Sequence, residues 1–167
     1  MLASSAAISL LCVTLAVPTA CGQSNAAAPL PSGQSSVTSP VVPTVLLTLN
    51  VSGFTESTEA VLREPGALAD AWKTAHSGIP GNPPPSIDFA KQMVVLVAIG
   101  SRNTGGYTVR VDSVSRASDG ALVSYTVVSP GPTCMTPQMI TSPTVAVSVP
   151  RIDGSVQFKR SDVVDHC

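Results

Sequence analysis

Met93-Val94-Val95-Leu96-Val97-Ala98-Ile99 is an unbroken apolar run of strand length, introduced by Ile87-Asp88-Phe89 and closed by Gly100. Apolar residues at both parities require cover on both faces, so the run predicts a central strand. One cover lies upstream. Pro65 stands where the first turn of a helix tolerates it, and Leu68, Ala71, Trp72 and Ala75 follow the i, i+3, i+4, i+7 spacing of one apolar face, with Gly78 as the stop. Between helix and strand, Ile79 to Ser86 holds Pro80, Pro83, Pro84, Pro85 and Gly81 and can only be a loop.

Working outward, Val45 to Val51 is rich in aliphatic and β-branched residues and reads as a strand ending at Gly53, with a second short strand over Glu59 to Arg63. Downstream, Tyr107, Val109 and Val111 alternate with Thr108, Arg110 and Asp112, and Ser118-Asp119-Gly120 turns the chain into Leu122 to Val128. This predicts a hairpin. A proline-rich loop, Pro130 to Pro137, leads to the alternation of Val145, Val147 and Val149, and Asp153-Gly154 turns that strand into Val156-Gln157-Phe158. Strands joined by short turns with one early helix predict an α+β fold, a mostly antiparallel β domain.

The charge balance of the 167 residues, 9 basic against 10 acidic, excludes a basic nucleic-acid binder. No Asp, Glu, Lys or Arg precedes Glu56, and the first third is a different kind of segment. Ile8 to Val17 has the size of a signal-peptide apolar region, and Pro18-Thr19-Ala20-Cys21-Gly22 is a small-residue cleavage zone ending in cysteine. It looks like a bacterial lipoprotein signal, although Pro18 stands where Leu is usual and no Lys or Arg precedes the apolar region. The expected organisation is a signal peptide over 1–20, an uncharged Ala/Pro/Ser-rich tether over 21–43, and a β-rich domain over 44–167. Lipidation of Cys21 would anchor the protein to a membrane of the cell envelope, the outer one in a two-membrane cell because Gly22 rather than Asp follows. The alternatives are secretion after cleavage near Ala26-Ala27-Ala28 and an uncleaved structural segment.

Export agrees with the cysteines, since Cys134 and Cys167 are left in the mature domain and two thiols outside a reducing compartment are expected to pair. A metal site from Cys134, His166, Cys167 and His76 is disfavoured, because adjacent His166 and Cys167 are hard to aim at one ion. No catalytic residue, metal ligand or cofactor motif is assigned. The sequence has no nucleophile elbow, phosphate loop or His-Glu-x-x-His helix, and Asp88 before Phe89 reads as a turn-capping group. What remains distinctive is the loop Gly100 to Val109. Gly105 and Gly106 permit positive φ or a close backbone approach, Tyr107 is an amphipathic contact residue, and Arg102 offers a planar donor fork. Arg102, Asn103, Thr104, Gly105, Gly106 and Tyr107, together with the Pro130 to Pro137 loop, form the expected partner-binding surface; the plainer reading is a sharp connection with Tyr107 folded onto the core.

Ile87-Asp88-Phe89 before Met93-Val94-Val95, the Gly100 to Val109 segment, Pro130-Gly131-Pro132 with Cys134, and Thr141-Ser142-Pro143 before a strand ending at Pro150 together resemble the PrcB C-terminal domain family. The resemblance runs from about Glu56 to Arg151, with Asn103 where a proline is frequent and Thr144 where an aromatic residue is frequent. It implies a non-catalytic accessory or binding lipoprotein, its partner a protease or another envelope protein, and it carries no catalytic residues over. Asn103-Thr104-Gly105-Gly106-Tyr107 is also similar to the first loop of chagasin-type cysteine-protease inhibitors, but that family's other two loops have no counterpart here. A secreted hydrolase is the remaining alternative.

Overall fold

The computed structural model describes residues 40–77 and 82–167. The signal segment, Cys21, most of the expected tether and the helix stop at Gly78 lie outside the described residues. Among the described residues, two four-stranded sheets and one helix make three layers. One sheet has the order β2 (Thr44–Leu49), β7 (Thr144–Pro150), β4 (Gln92–Ile99), β3 (Ser57–Leu62), every pair antiparallel. The other runs β1 (Pro40–Val41), β5 (Thr108–Ala117), β6 (Gly120–Pro130), β8 (Ser155–Asp165). The α+β expectation holds.

The apolar run explains the layering. Met93, Val95, Val97 and Ile99 of β4 meet Val145, Val147 and Val149 of β7 and, from the facing sheet, Val109, Val114, Val123, Tyr125 and Val127. The opposite parity, Val94, Leu96 and Ala98, packs with Leu62 and with Leu68 and Trp72 of α1 (Pro65–Ala75). Both faces of β4 are therefore buried, one by the second sheet and one by the helix. Pro65 starts α1, His76 caps its C-terminus, and His76 Nδ1 lies 2.9 Å from the Trp72 carbonyl. Asp88 caps the turn into β4, its carboxylate accepting from Ala90 N–H at 3.1 Å.

Two expectations are corrected, at β2 and at β8. The strand read as Val45 to Val51 ends at Leu49, because Ser52 turns the backbone inward to a buried hydroxyl cluster: Ser52 N–H donates to Ser142 Oγ at 2.6 Å, and Ser52 Oγ lies 2.8 Å from Thr144 Oγ1. In β7, Ala146 and Ser148 are as buried as the valines, since a sheet lies on one side and the helix layer on the other. Described structure also precedes Thr44, with Pro40 and Val41 paired to Ser115 and Val114. The largest difference is β8. Asp153-Gly154 does not fold the chain back beside β7; it carries the chain to the other sheet, where Ser155 to Asp165 runs parallel to β6. Parallel partners need a long crossover, and here β7 itself is that crossover. Gly154 has φ 91°, and a Cβ there would strike the Asp119 carbonyl.

Candidate functional site

The loop between β4 and β5 is built on backbone pairing. Arg102 N–H donates to the Thr141 carbonyl at 2.7 Å and Thr141 N–H returns a bond to the Arg102 carbonyl at 3.0 Å. Thr141 Oγ1 donates to the Thr104 carbonyl at 2.8 Å, and Gly105 N–H to the Pro137 carbonyl at 2.9 Å. These four bonds lock the Gly-rich loop to the segment after the proline-rich loop, so the two stretches singled out in the sequence meet in space.

Glycine is required at the junction. Gly106 has φ 85°, and a Cβ there would stand 2.9 Å from Thr136 Cγ2 and 3.1 Å from Pro130 Cβ; at Gly105 it would press on Pro137 Cδ at 3.0 Å. Positive φ and close approach exclude a side chain for separate reasons.

A cleft of about 340 Å³ opens at this junction. One wall is Asn50 and Val51, just past the end of β2; the second is Gly105 to Thr108; the third is Pro137, Met139 and Thr141. No acidic or basic side chain lines it. Val51, Met139 and Ile140 are 53%, 49% and 70% exposed, and Met135 is fully exposed nearby in sequence. The Asn50 wall is held by Ser142 N–H, which donates to the Asn50 carbonyl at 2.9 Å, and by the buried Ser52 cluster. An uncharged, pre-formed recess with apolar residues at its mouth suits an apolar side chain more than a charged ligand.

The expected site residues divide. Gly105, Gly106 and Tyr107 line the cleft, and Tyr107 also packs on the inter-sheet core, so contact and packing roles coincide in one ring. Arg102 lies outside the lining: its Nη2 donates to the Ile99 carbonyl at 2.7 Å and its guanidinium sits 5.6 Å from the Tyr107 ring centroid, bracing the loop from behind. Thr104 contributes its carbonyl to Thr141, and Asn103 is exposed. Asn50, Val51 and Met139 were not singled out in the sequence as site residues, and Thr141 only as part of the motif Thr141-Ser142-Pro143. Val51 reads as the last residue of a strand, but β2 ends at Leu49 and Val51 lies beyond it, exposed.

Cys134 and Cys167 form a disulfide, with Cα atoms 5.5 Å apart. It ties the end of β8 to the proline-rich loop, where Gly131 N–H also donates to the Asp165 carbonyl at 2.8 Å. Among the described residues no group of three or more His, Cys, Asp or Glu side chains is arranged to hold a metal ion. His76 Nε2 lies 2.7 Å from Asn82 Nδ2, at the helix end and away from the cleft lining.

The fold is thus a helix-backed β-sandwich carrying a loop-built apolar cleft at one end of its sheets. Residues 93–150 match the model of the family described as PrcB C-terminal. The resemblance read from the loop and strand motifs therefore holds across the segment from β4 to β7, which contributes two of the three cleft walls. No curated protein and no solved structure matches the chain.

Proposed function

We propose that this chain is a non-catalytic accessory or binding subunit of the bacterial cell envelope, anchored by a lipid on Cys21, that holds a partner protein through the cleft between Val51, Tyr107 and Met139. The observation that carries this reading is the coincidence of the cleft with the glycine loop of the family-matched segment, with uncharged walls and an apolar mouth. Interface cores favour such uncharged, aromatic- and Met-bearing recesses, and exposed methionines adapt to a partner's shape. The family name favours a protease complex as the assembly.

Affinity capture of the lipoprotein from envelope, with and without Met139→Asp, tests the reading. A protease recovered with the native chain and lost with the variant, at unchanged melting temperature, supports it. Recovery unaffected by Met139→Asp moves the contact elsewhere, and inhibition of a papain-like enzyme by the purified chain favours the inhibitor reading. The anchor has its own check: mass spectrometry of the mature protein is expected to find a lipidated Cys21 as first residue, and an unmodified terminus near Asn25 or Pro29 would remove it.

A further inference from the structure

Strand β8 leaves one edge of its sheet open along its full length of 11 residues; among the described residues nothing pairs with its outer side. The groups facing outward can be assigned. Ser155 N–H donates to the Asp119 carbonyl and Gly131 N–H to the Asp165 carbonyl, so odd-numbered residues direct their backbone groups toward β6. Alternation then sends those of Val156, Phe158, Arg160, Asp162 and Val164 outward. Natural edge strands are kept short, bulged, charged or covered; this one is long and regular, and its only such device is the charge of Lys159, Arg160 and Asp162. Val163 and Val164 are 45% and 49% exposed along it. The Cys134–Cys167 disulfide and the Gly131–Asp165 bond hold its far end to the sheet, which lowers the cost of ordering it on pairing.

We propose that the occupant of this edge is a second copy of the chain, β8 antiparallel to β8 about a two-fold axis at Ser161, joining the two sheets into one. The charges select the register. Outward-facing residues must pair with outward-facing residues, so the axis passes through a residue and not between two, and only axes at Lys159, Arg160 or Ser161 keep more than about two thirds of the strand Ser155–Asp165 paired. An axis at Lys159 sets Lys159 against Lys159, and one at Arg160 sets Arg160 against Arg160; like charges directly opposite are destabilising. With the axis at Ser161, Arg160 faces Asp162 of the second copy twice, Phe158 faces Val164, and the Lys159 stem covers Val163. Within one chain Arg160 already holds Asp162, Nη2 to Oδ1 at 2.6 Å and Nε to both oxygens at 3.0 Å. That pair keeps the free edge soluble, and in the dimer the four groups close into a reciprocal ring. Nothing in this pairing depends on the cleft.

Register-specific cross-linking of the full chain tests it. Facing side chains at a non-hydrogen-bonded antiparallel pair have Cβ atoms about 4.5–5.5 Å apart, near disulfide reach, so Ser161→Cys is expected to give a linked dimer under mild oxidation. Lys159→Cys, which would face Val163, is expected to stay at the background of the unmodified chain. In sedimentation velocity, Arg160→Asp is expected to weaken association about tenfold or more, by placing acids opposite one another. Exchanging both residues, R160D with D162R, restores it. A chain that is monomeric throughout the micromolar range, equal cross-linking at both positions, or no restoration by the exchange would overturn the proposal. A different protein found linked through the introduced thiol in envelope preparations of Ser161→Cys would overturn the choice of occupant.

Discussion

Gly106 carries the cleft's geometry in a single backbone angle. Its φ of 85° and the crowding by Thr136 and Pro130 mean that Gly106→Ala acquires both strain and a clash, an expected loss of about 1–3 kcal/mol readable by urea denaturation. At Gly66, which has open space around it, the same substitution is expected to be neutral or slightly stabilising, since it sits in the first turn of α1. Tyr125 offers a titration test. Its ring is buried and its hydroxyl donates to Glu59 Oε1 at 2.5 Å; burial first, and then the bond to the Glu59 carboxylate, push its pKa up to about 12. An unfolded tyrosine ionises near pH 10, so between about 10 and 12 the folded state keeps a proton that the unfolded state releases. The stability it contributes is present below pH 10 and lost as pH rises through that window. Alkaline unfolding of the chain and of Tyr125→Phe, followed by circular dichroism, is expected to show this slope only in the former. The need for glycine at Gly105 and Gly106 was legible in the sequence. The occupation of Arg102 by the Ile99 carbonyl was not, because a donor fork looks the same whether it faces a partner or its own strand.

At the scale of elements, α1 and β4 were readable because their patterns state their surroundings. The helix shows one apolar face and the strand shows two, and the structure meets both demands by stacking Leu68 and Trp72 on Val94 and Leu96. Leu68 is 3% exposed, and Leu68→Ala is expected to cost about 2–5 kcal/mol by the cavity it leaves, measured as a shift of the denaturation midpoint. Strand β8 was legible only as far as Phe158. Beyond it come Lys159, Arg160, Ser161 and Asp162, which carry neither strand propensity nor an apolar alternation. Those residues extend because β6 offers them a complete backbone ladder, and such a ladder leaves no mark on the side-chain pattern. Val51 misleads for the converse reason: its residue type suits a strand, but the strand already ends at Leu49, and the chain beyond it is held by the hydroxyl of Ser142, distant in sequence.

For the whole molecule, the disulfide closes the chain from the proline-rich loop to the C-terminus, a separation of 33 residues. Replacing Cys134 and Cys167 by serine is expected to lower stability by roughly 2–5 kcal/mol. Hydrogen exchange is expected to localise the loosening to the end of β8 while β4 stays protected, since β4 lies in the core between both layers. Composition and pattern alone determined that this is a β-rich domain with one helix, a doubly covered central strand, a hairpin at Ser118 to Gly120 and a cysteine pair apt to bond. Each of these follows from residues close in sequence or from counting, which is why periodicity and turn chemistry could register them. Tertiary structure alone decided that the chain divides into two sheets, that β8 crosses to run parallel with β6, and that Asn50, Val51, Tyr107 and Met139 share one cleft. Those outcomes rest on backbone ladders such as Thr44 with Ser148 and on buried hydroxyl contacts between residues up to 92 apart, which are set by the packing of the whole fold and not by any local run of side chains.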